Sequence, residues 1–156
     1  MRTVAADVAT VLIVLWVGAM WAIGYLVAPV LFASLPDRML AGEVAGRLFH
    51  LLGWGGLAIG GYLLIFLGVA HRCRGAARRV AVLVSLLLLM AAAQHFALQP
   101  RMAALKLEAG GDVLSGVQRD SFARLHAVSG VLYLMQSLGG VVLVLLWRRL
   151  PASQLR

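Results

Sequence analysis

Long apolar blocks separated by short polar connectors dominate the pattern of the chain. Four such blocks cover residues 8–33, 51–70, 80–98 and 125–147, and none contains Asp, Glu, Lys or Arg. A helix needs about 20 apolar residues to cross the hydrocarbon core of a bilayer. The pattern therefore predicts an all-α protein, a four-helix transmembrane bundle that forms one integral membrane domain over residues 1–156.

The fourth block carries polar and small residues on one face of its predicted helix. Their spacing alternates between four and three residues, which places them on a single stripe. This polar stripe consists of Phe122, His126, Ser129, Tyr133, Gln136 and Gly140. Because polar side chains are costly in lipid, we expect the polar stripe to face the other helices.

The third block carries a second stripe of the same kind. It consists of Ser85, Leu88, Ala92, His95 and Gln99, with Met102 one turn beyond. Since consecutive spans are antiparallel, we expect His95 and His126 to lie at similar depth and to face each other. The two stripes together supply the candidate ligand-binding residues, which are His95, Gln99, His126, Ser129, Tyr133 and Gln136.

Glycine and proline predict how the first two spans pack. Gly53, Gly56 and Gly60 fall on one face of the second span, and Gly56 and Gly60 form a GxxxG motif. Small residues let helix backbones approach closely in lipid, so this face is expected to pack against another helix. Pro29 has no N–H to donate to the carbonyl of Tyr25, which predicts a kink near the end of the first span.

The connectors carry their own helix signals. Pro36 and Asp37 favour a helix start with Asp37 as the cap, and residues 38–50 have the pattern of a short amphipathic helix at the membrane interface. Between spans three and four, helical composition continues on both sides of Gly110 and Gly111. We therefore expect these two spans to extend beyond the membrane on the outer side.

Composition agrees with the pattern. The chain of 156 residues is 62% hydrophobic and 13% charged, whereas a soluble domain is about 45–50% apolar and about 25% charged. The net charge is +8, but the basic residues cluster at the ends of apolar blocks. This is the pattern of membrane topology rather than of nucleic-acid binding, so the predicted partner is the lipid bilayer. Cys73 is the single cysteine, which excludes an internal disulfide.

The distribution of basic residues predicts the orientation. One side of the membrane receives Arg2, Arg72, Arg74, Arg78, Arg79, Arg148, Arg149 and Arg156, with Asp7 as its acid. The other side receives Arg38, Arg47, Arg101, Lys106, Arg119 and Arg124, and the remaining acids neutralise most of this charge. The positive-inside rule makes the first side cytoplasmic, which gives an N-in, C-in bundle.

Several segments resemble the transmembrane protein 205-like family, whose bacterial members form a domain of unknown function. They are WVGAMWAIGYLVAPVLFASLP, AGEVAGRLF, QPRM and FARLHAVSGVLYLMQ, in this order along the chain. The resemblance implies a small multi-pass protein without established catalytic chemistry. It also implies a location in the cell membrane, which for a bacterial protein is the inner membrane.

The sequence leaves three roles open for the histidines. His95 and His126 either hydrogen-bond across helices to Gln99, Ser129 or backbone, or ligate a metal such as copper, or hold a haem or line a pocket for a small amphiphile. No catalytic arrangement is recognisable in the spans. The sequence therefore favours a non-enzymatic protein with no cofactor, which binds a ligand or partner through its outer-side polar stripe. The alternative is a metal- or haem-handling protein that uses His95 and His126. Homo-oligomers and membrane partner proteins stay open.

The predicted topology is tested with reporter fusions. Reporters placed after Arg156 and within residues 71–79 should both report the cytoplasm, because the unneutralised arginines hold these segments inside. A reporter between Gly110 and Gly111 should report the opposite side. Any other combination of the three results contradicts the four-span, N-in and C-in arrangement.

Overall fold

The computed structural model describes residues 4–71, 75–108 and 116–150. Within these ranges the chain forms four long helices and no strand. They are α1 (Val4–Ser34), α2 (Arg38–His71), α3 (Ala76–Glu108) and α4 (Gly116–Arg148). Each is long enough and apolar enough to cross a membrane, so the predicted all-α, four-span architecture is confirmed. The break at Gly110–Gly111 lies outside the described residues, as does Cys73.

The four helices close into a ring. α1 packs on α2 and α4, and α3 packs on the same two neighbours. The connections are short, so consecutive helices run antiparallel, as in an up-down-up-down bundle. Large apolar side chains cover the outside of this ring, including Leu15, Leu51, Ile65 and Leu89. An apolar exterior around a bundle is typical of a multi-pass protein in contact with lipid.

All four helices exceed the thickness of a hydrocarbon core. At about 1.5 Å per residue a helix of this length measures about 50 Å, whereas the core is about 30 Å thick. The separate interfacial helix predicted for residues 38–50 is wrong, because α2 runs unbroken from Arg38 to His71. The predicted cap is present: the N–H of Met39 donates to Oδ1 of Asp37 at 2.7 Å.

The apolar core occupies the half of the bundle that contains the start of α1 and the end of α4. Its largest buried side chains are Ile13, Trp16 and Met20 of α1, Leu63 and Leu67 of α2, Leu87 of α3 and Leu143 of α4. At the end of the core where α1 begins and α4 ends, Nε1 of Trp147 donates to Oγ1 of Thr10 at 2.8 Å. The hydroxyl of Thr10 in turn donates to the carbonyl oxygen of Ala6. The bond from Trp147 to Thr10 ties the last turn of α4 to the first turns of α1.

Two helices each contain a short π-helical segment, and in both a proline follows the segment at the same spacing. α1 contains a π-helical segment at Ile23–Val27 and α3 contains one at Ala93–Leu98. Pro29 and Pro100 each follow two residues after these segments. A proline ring collides with the carbonyl four residues earlier, and a wider turn is one way in which a helix accommodates it. The distortion expected at Pro29 is thus a π segment, and Pro100 produces a second one that the sequence reading did not include.

The glycine face of α2 lies against its neighbours. A Cβ atom at Gly56 would lie 2.7 Å from Nε1 of Trp16 in α1. A Cβ atom at Gly60 would lie 2.6 Å from Cδ2 of Leu88 in α3. Both contacts are closer than real Cβ atoms tolerate, so α1 and α3 approach α2 as near as they do because these side chains are absent.

We therefore expect Gly56→Ala to destabilise the bundle. The new methyl group meets the indole of Trp16, which is only 2% exposed and has no room to move, and such overpacking costs about 1–3 kcal/mol. Gly61→Ala is the matched control, because nothing in the described structure lies within 4 Å of its added Cβ. Reversible unfolding of the purified protein in mixed detergent micelles measures both changes. Equal stability of the two variants would contradict the close approach of α1 and α2.

Candidate functional site

Polar side chains meet on the axis of the bundle in the half that lacks the apolar core. Nε2 of Gln94 in α3 donates to Oε1 of Gln136 in α4 at 2.7 Å. Oγ of Ser129 donates to Oε1 of Gln94 at 3.2 Å. We call Gln94, His95, Ser129, Tyr133 and Gln136 the central polar cluster. The two amides are buried, and their bonds fix the register of α3 against α4.

Tyr133 extends the cluster to α1. Its hydroxyl donates to the carbonyl oxygen of Met20 at 2.6 Å, just before the π segment Ile23–Val27. The ring crosses α1 at Gly24, where a Cβ atom would overlap the phenol. Phe49 of α2 packs edge-on against the same ring, with 5.2 Å between the centroids. Tyr133 therefore touches both α1 and α2 from α4.

His95 is the most unusual member of the central polar cluster. Its side chain is 5% exposed and its ring centroid lies 4.7 Å from that of His50 and 4.8 Å from that of Trp54. Its Nδ1 points towards Gly53 and has no hydrogen-bond partner within the described part of the chain. A buried polar atom without a partner is costly, and such atoms in native proteins often mark a site for a water or a ligand.

A small cavity adjoins the cluster. It has a volume of about 30 Å³ and is lined by Gln94, His95, Gln99, Tyr133 and Gln136, with Trp16, Met20, Phe49, Leu52, Gly53 and Ala91 around them. A water molecule needs about 10–15 Å³ of such volume. None of these lining residues carries a formal acidic or permanent basic charge. The cavity is therefore suited to a neutral group that exchanges hydrogen bonds with amides, an imidazole and a phenol.

The structure does not bring the two candidate histidines together. His126 is exposed and stacks on Phe122 of its own helix at 6.0 Å, whereas the ring of His95 lies among α2 residues and Phe96. The expectation that they face each other assumed an uninterrupted α-helix in the third span. Among the residues that the structure describes, no group of three or more His, Cys, Asp or Glu side chains could hold a metal ion.

The sequence reading missed Gln94, which forms the shortest bond between α3 and α4 in the cluster. In a regular helix two adjacent residues point in directions about 100° apart, so a stripe through His95 excludes Gln94. The π segment Ala93–Leu98 changes this spacing, and both side chains are buried. A proline four to six residues downstream is the signal that predicts such a change of register.

A second missed contact joins α1 to α4 beside the cluster. The hydroxyl groups of Tyr25 and Ser137 lie 2.6 Å apart, and Oγ of Ser137 also donates to the carbonyl oxygen of Leu134 at 2.9 Å. Nε1 of Trp21 donates to the carbonyl oxygen of Ser137 at 3.3 Å. Ser137 is adjacent to Gln136 and lies off the polar stripe, so the periodicity gave it no role.

We expect Gln94→Leu and Gln136→Leu to be coupled in a double-mutant cycle. Hydrogen bonds between membrane helices average about 0.6 kcal/mol and reach about 1.7 kcal/mol, so a buried bond of 2.7 Å should give a coupling within this range. The control cycle combines Gln136→Leu with Thr10→Val at the other end of the bundle, where the effects should add to within about 0.5 kcal/mol. Additivity in both cycles would contradict a contribution of the amide pair to helix packing.

Comparison with known proteins gives a family and no activity. The chain matches the family model described as a domain of unknown function, DUF4149, over residues 11–110. No match was found among curated proteins, and none among solved structures. The matched range covers most of α1 and the whole of α2 and α3, including His95 and both π segments. Since it spans well over half of the chain, the protein belongs to the DUF4149 family.

Proposed function

We propose that this protein is a non-enzymatic integral membrane protein that binds a neutral amphiphile through the central polar cluster. The observation that carries the proposal is the buried Nδ1 of His95, which has no partner in the described chain and lies beside a cavity of about 30 Å³. Gln94 bonds to Gln136 and Ser129, and the hydroxyl of Tyr133 bonds to the carbonyl oxygen of Met20. Nδ1 of His95 is the buried atom of the cluster that has hydrogen-bonding capacity left for a guest.

The chemistry of the lining defines the class of ligand. Gln99, Gln136 and His95 offer amide and imidazole groups, and no carboxylate or ammonium adjoins them to balance an ionic headgroup. A charged group would enter this site without a counter-charge, which is costly in a medium of low dielectric constant. The geometry supports a hydroxyl or carbonyl headgroup.

The size of the cavity also argues for an amphiphile rather than a large prosthetic group. A volume of about 30 Å³ accepts one small polar group, whereas ligand pockets for drug-sized molecules measure about 300–1,000 Å³. A lipid-soluble molecule needs only its headgroup in the cluster, because the bilayer solvates its chain. The charge pattern supports an opening towards the outer leaflet, since the cluster lies in the half of the bundle that contains the end of α3 and the start of α4.

A metal-handling function is the second candidate, on a different pair of histidines from the one the sequence favoured. His50 and His95 have ring centroids 4.7 Å apart, and imidazole is a good ligand for copper. The rings are tilted by 35° and Nε2 of His50 already accepts a hydrogen bond from Nε1 of Trp54 at 3.3 Å. Nε2 of His50 would have to give up this bond before it could ligate an ion, so this pairing ranks below the amphiphile site.

The test compares hexadecanol with hexadecane on the full-length protein in detergent. Hexadecanol should raise the melting temperature and hexadecane should not, because only the alcohol offers a hydroxyl group to His95. In Gly53→Ala the effect should vanish, since the added Cβ would lie 2.6 Å from Nδ1 of His95. Gly55→Ala is the control on the same helix, with nothing within 4 Å of its Cβ.

Two results would overturn the proposal. One is the same response to both probes, and the other is an alcohol response that survives in Gly53→Ala as it does in Gly55→Ala. The absorption spectrum and metal content of the purified protein decide the second candidate. Stoichiometric copper that is lost in both His50→Asn and His95→Asn would establish it, and a colourless, metal-free protein would remove it.

A further inference from the structure

A shallow, open groove separate from the central polar cluster lies between the extensions of α3 and α4. It has a volume of about 490 Å³ and is lined by Arg101, Ala104 and Leu105 of α3 and by Ser121, Arg124 and Leu125 of α4. We call it the arginine groove. It shares no lining residue with the cavity beside His95, so what it binds does not depend on the function proposed for that cavity.

The arginine groove is positively charged and unneutralised. Arg101 and Arg124 are both exposed, and no acidic side chain lines the groove. The one ion pair in the described part of the chain joins Arg47 to Glu43 in α2. Asp120 lies one turn from Arg124 on α4, at the spacing that favours a pair, and yet it forms none. Both guanidinium groups are thus available to an anion from outside the protein.

The arginines lie at the depth of lipid headgroups. Arg101 follows the apolar block 80–98 after two residues, and Arg124 immediately precedes the block 125–147. Where these blocks end, the hydrocarbon core of the bilayer gives way to the phosphate layer. The planar guanidinium group matches the geometry of phosphate oxygens and binds them through paired hydrogen bonds.

We propose that the arginine groove binds an anionic phospholipid, with the phosphate between Arg101 and Arg124. The hydroxyl of Ser121 lies in the same groove and is suited to donate to a phosphate oxygen. Leu125 lies on the membrane side of Arg124 and would contact the glycerol backbone and the start of an acyl chain. Ala104 and Leu105 lie one turn beyond Arg101 and would flank the headgroup. This combination of cations and apolar wall favours a lipid over free phosphate, which would use the arginines alone.

The test uses native mass spectrometry of the full-length protein in detergent, titrated with phosphatidylglycerol or with phosphatidylcholine. The parent should retain phosphatidylglycerol in preference. The double variant Arg101→Gln, Arg124→Gln should bind it at least about tenfold more weakly, because each basic residue near a charged lipid contributes about a factor of five. The control double variant Arg38→Gln, Arg119→Gln removes the same charge from exposed arginines that do not line the groove. It should stay within about twofold of the parent.

Two further measurements distinguish a phospholipid from inorganic phosphate as the ligand and show that a loss of binding is not caused by misfolding. Ala104→Phe keeps both arginines and places a large ring beside the headgroup at an exposed position of the groove, so it should also lose the lipid preference. Inorganic phosphate at the concentration of the lipid should not displace it. The proposal is overturned if the two double variants lose equal affinity, if Ala104→Phe binds like the parent, or if inorganic phosphate competes on equal terms.

Discussion

A polar side chain inside a membrane bundle has no bulk water to bond, and this constraint organises one half of the molecule. The Gln94–Gln136 hydrogen bond gives a partner to a donor of one amide and to the acceptor of the other, and Ser129 and Tyr133 find partners in α3 and α1. Each of these bonds forms only in one relative register of the helices. The other half has few such bonds and packs through Ile13, Leu63 and other apolar side chains, where many registers would bury similar area.

The two halves therefore contribute different properties to the fold. The apolar half supplies contact area between all four helices, and the polar half selects which residues stand opposite one another. His95 lies in the polar half, but its Nδ1 forms no hydrogen bond with the described residues. In a cluster where the neighbouring polar groups are paired, that atom is the place where a bound molecule would complete the network. His126 is exposed and stacks on Phe122 of its own helix, outside this network.

The sequence predicted the helical class and the four spans because lipid requires long apolar helices, and that signal is strong in every block. It also predicted that Tyr133, Gln136 and Ser129 would share a face, because α4 is regular from Gly116 to Arg148. It failed where the backbone departs from the α-helical period. Gln94 was invisible because a π segment shifts it inward, and the continuity of α2 was missed because residues 38–50 are amphipathic by pattern. A prediction from residue spacing is valid only where the backbone keeps the α-helical period.

The π segments in α1 and α3 also determine where a residue can be deleted without rotating the rest of the helix. A π-helical turn contains one residue more than the α-helical turn that it replaces, so each segment is equivalent to a single-residue insertion held inside a helix. Deleting one residue from Ala93–Leu98 would restore α-helical geometry there, whereas a deletion elsewhere in α3 would rotate every later side chain by about 100°. We therefore expect the loss of one residue from this span to be tolerated best in the turn that positions Gln94 and His95. A relative one residue shorter in this turn would keep the apolar end of its bundle and present a different pair of side chains to the cavity.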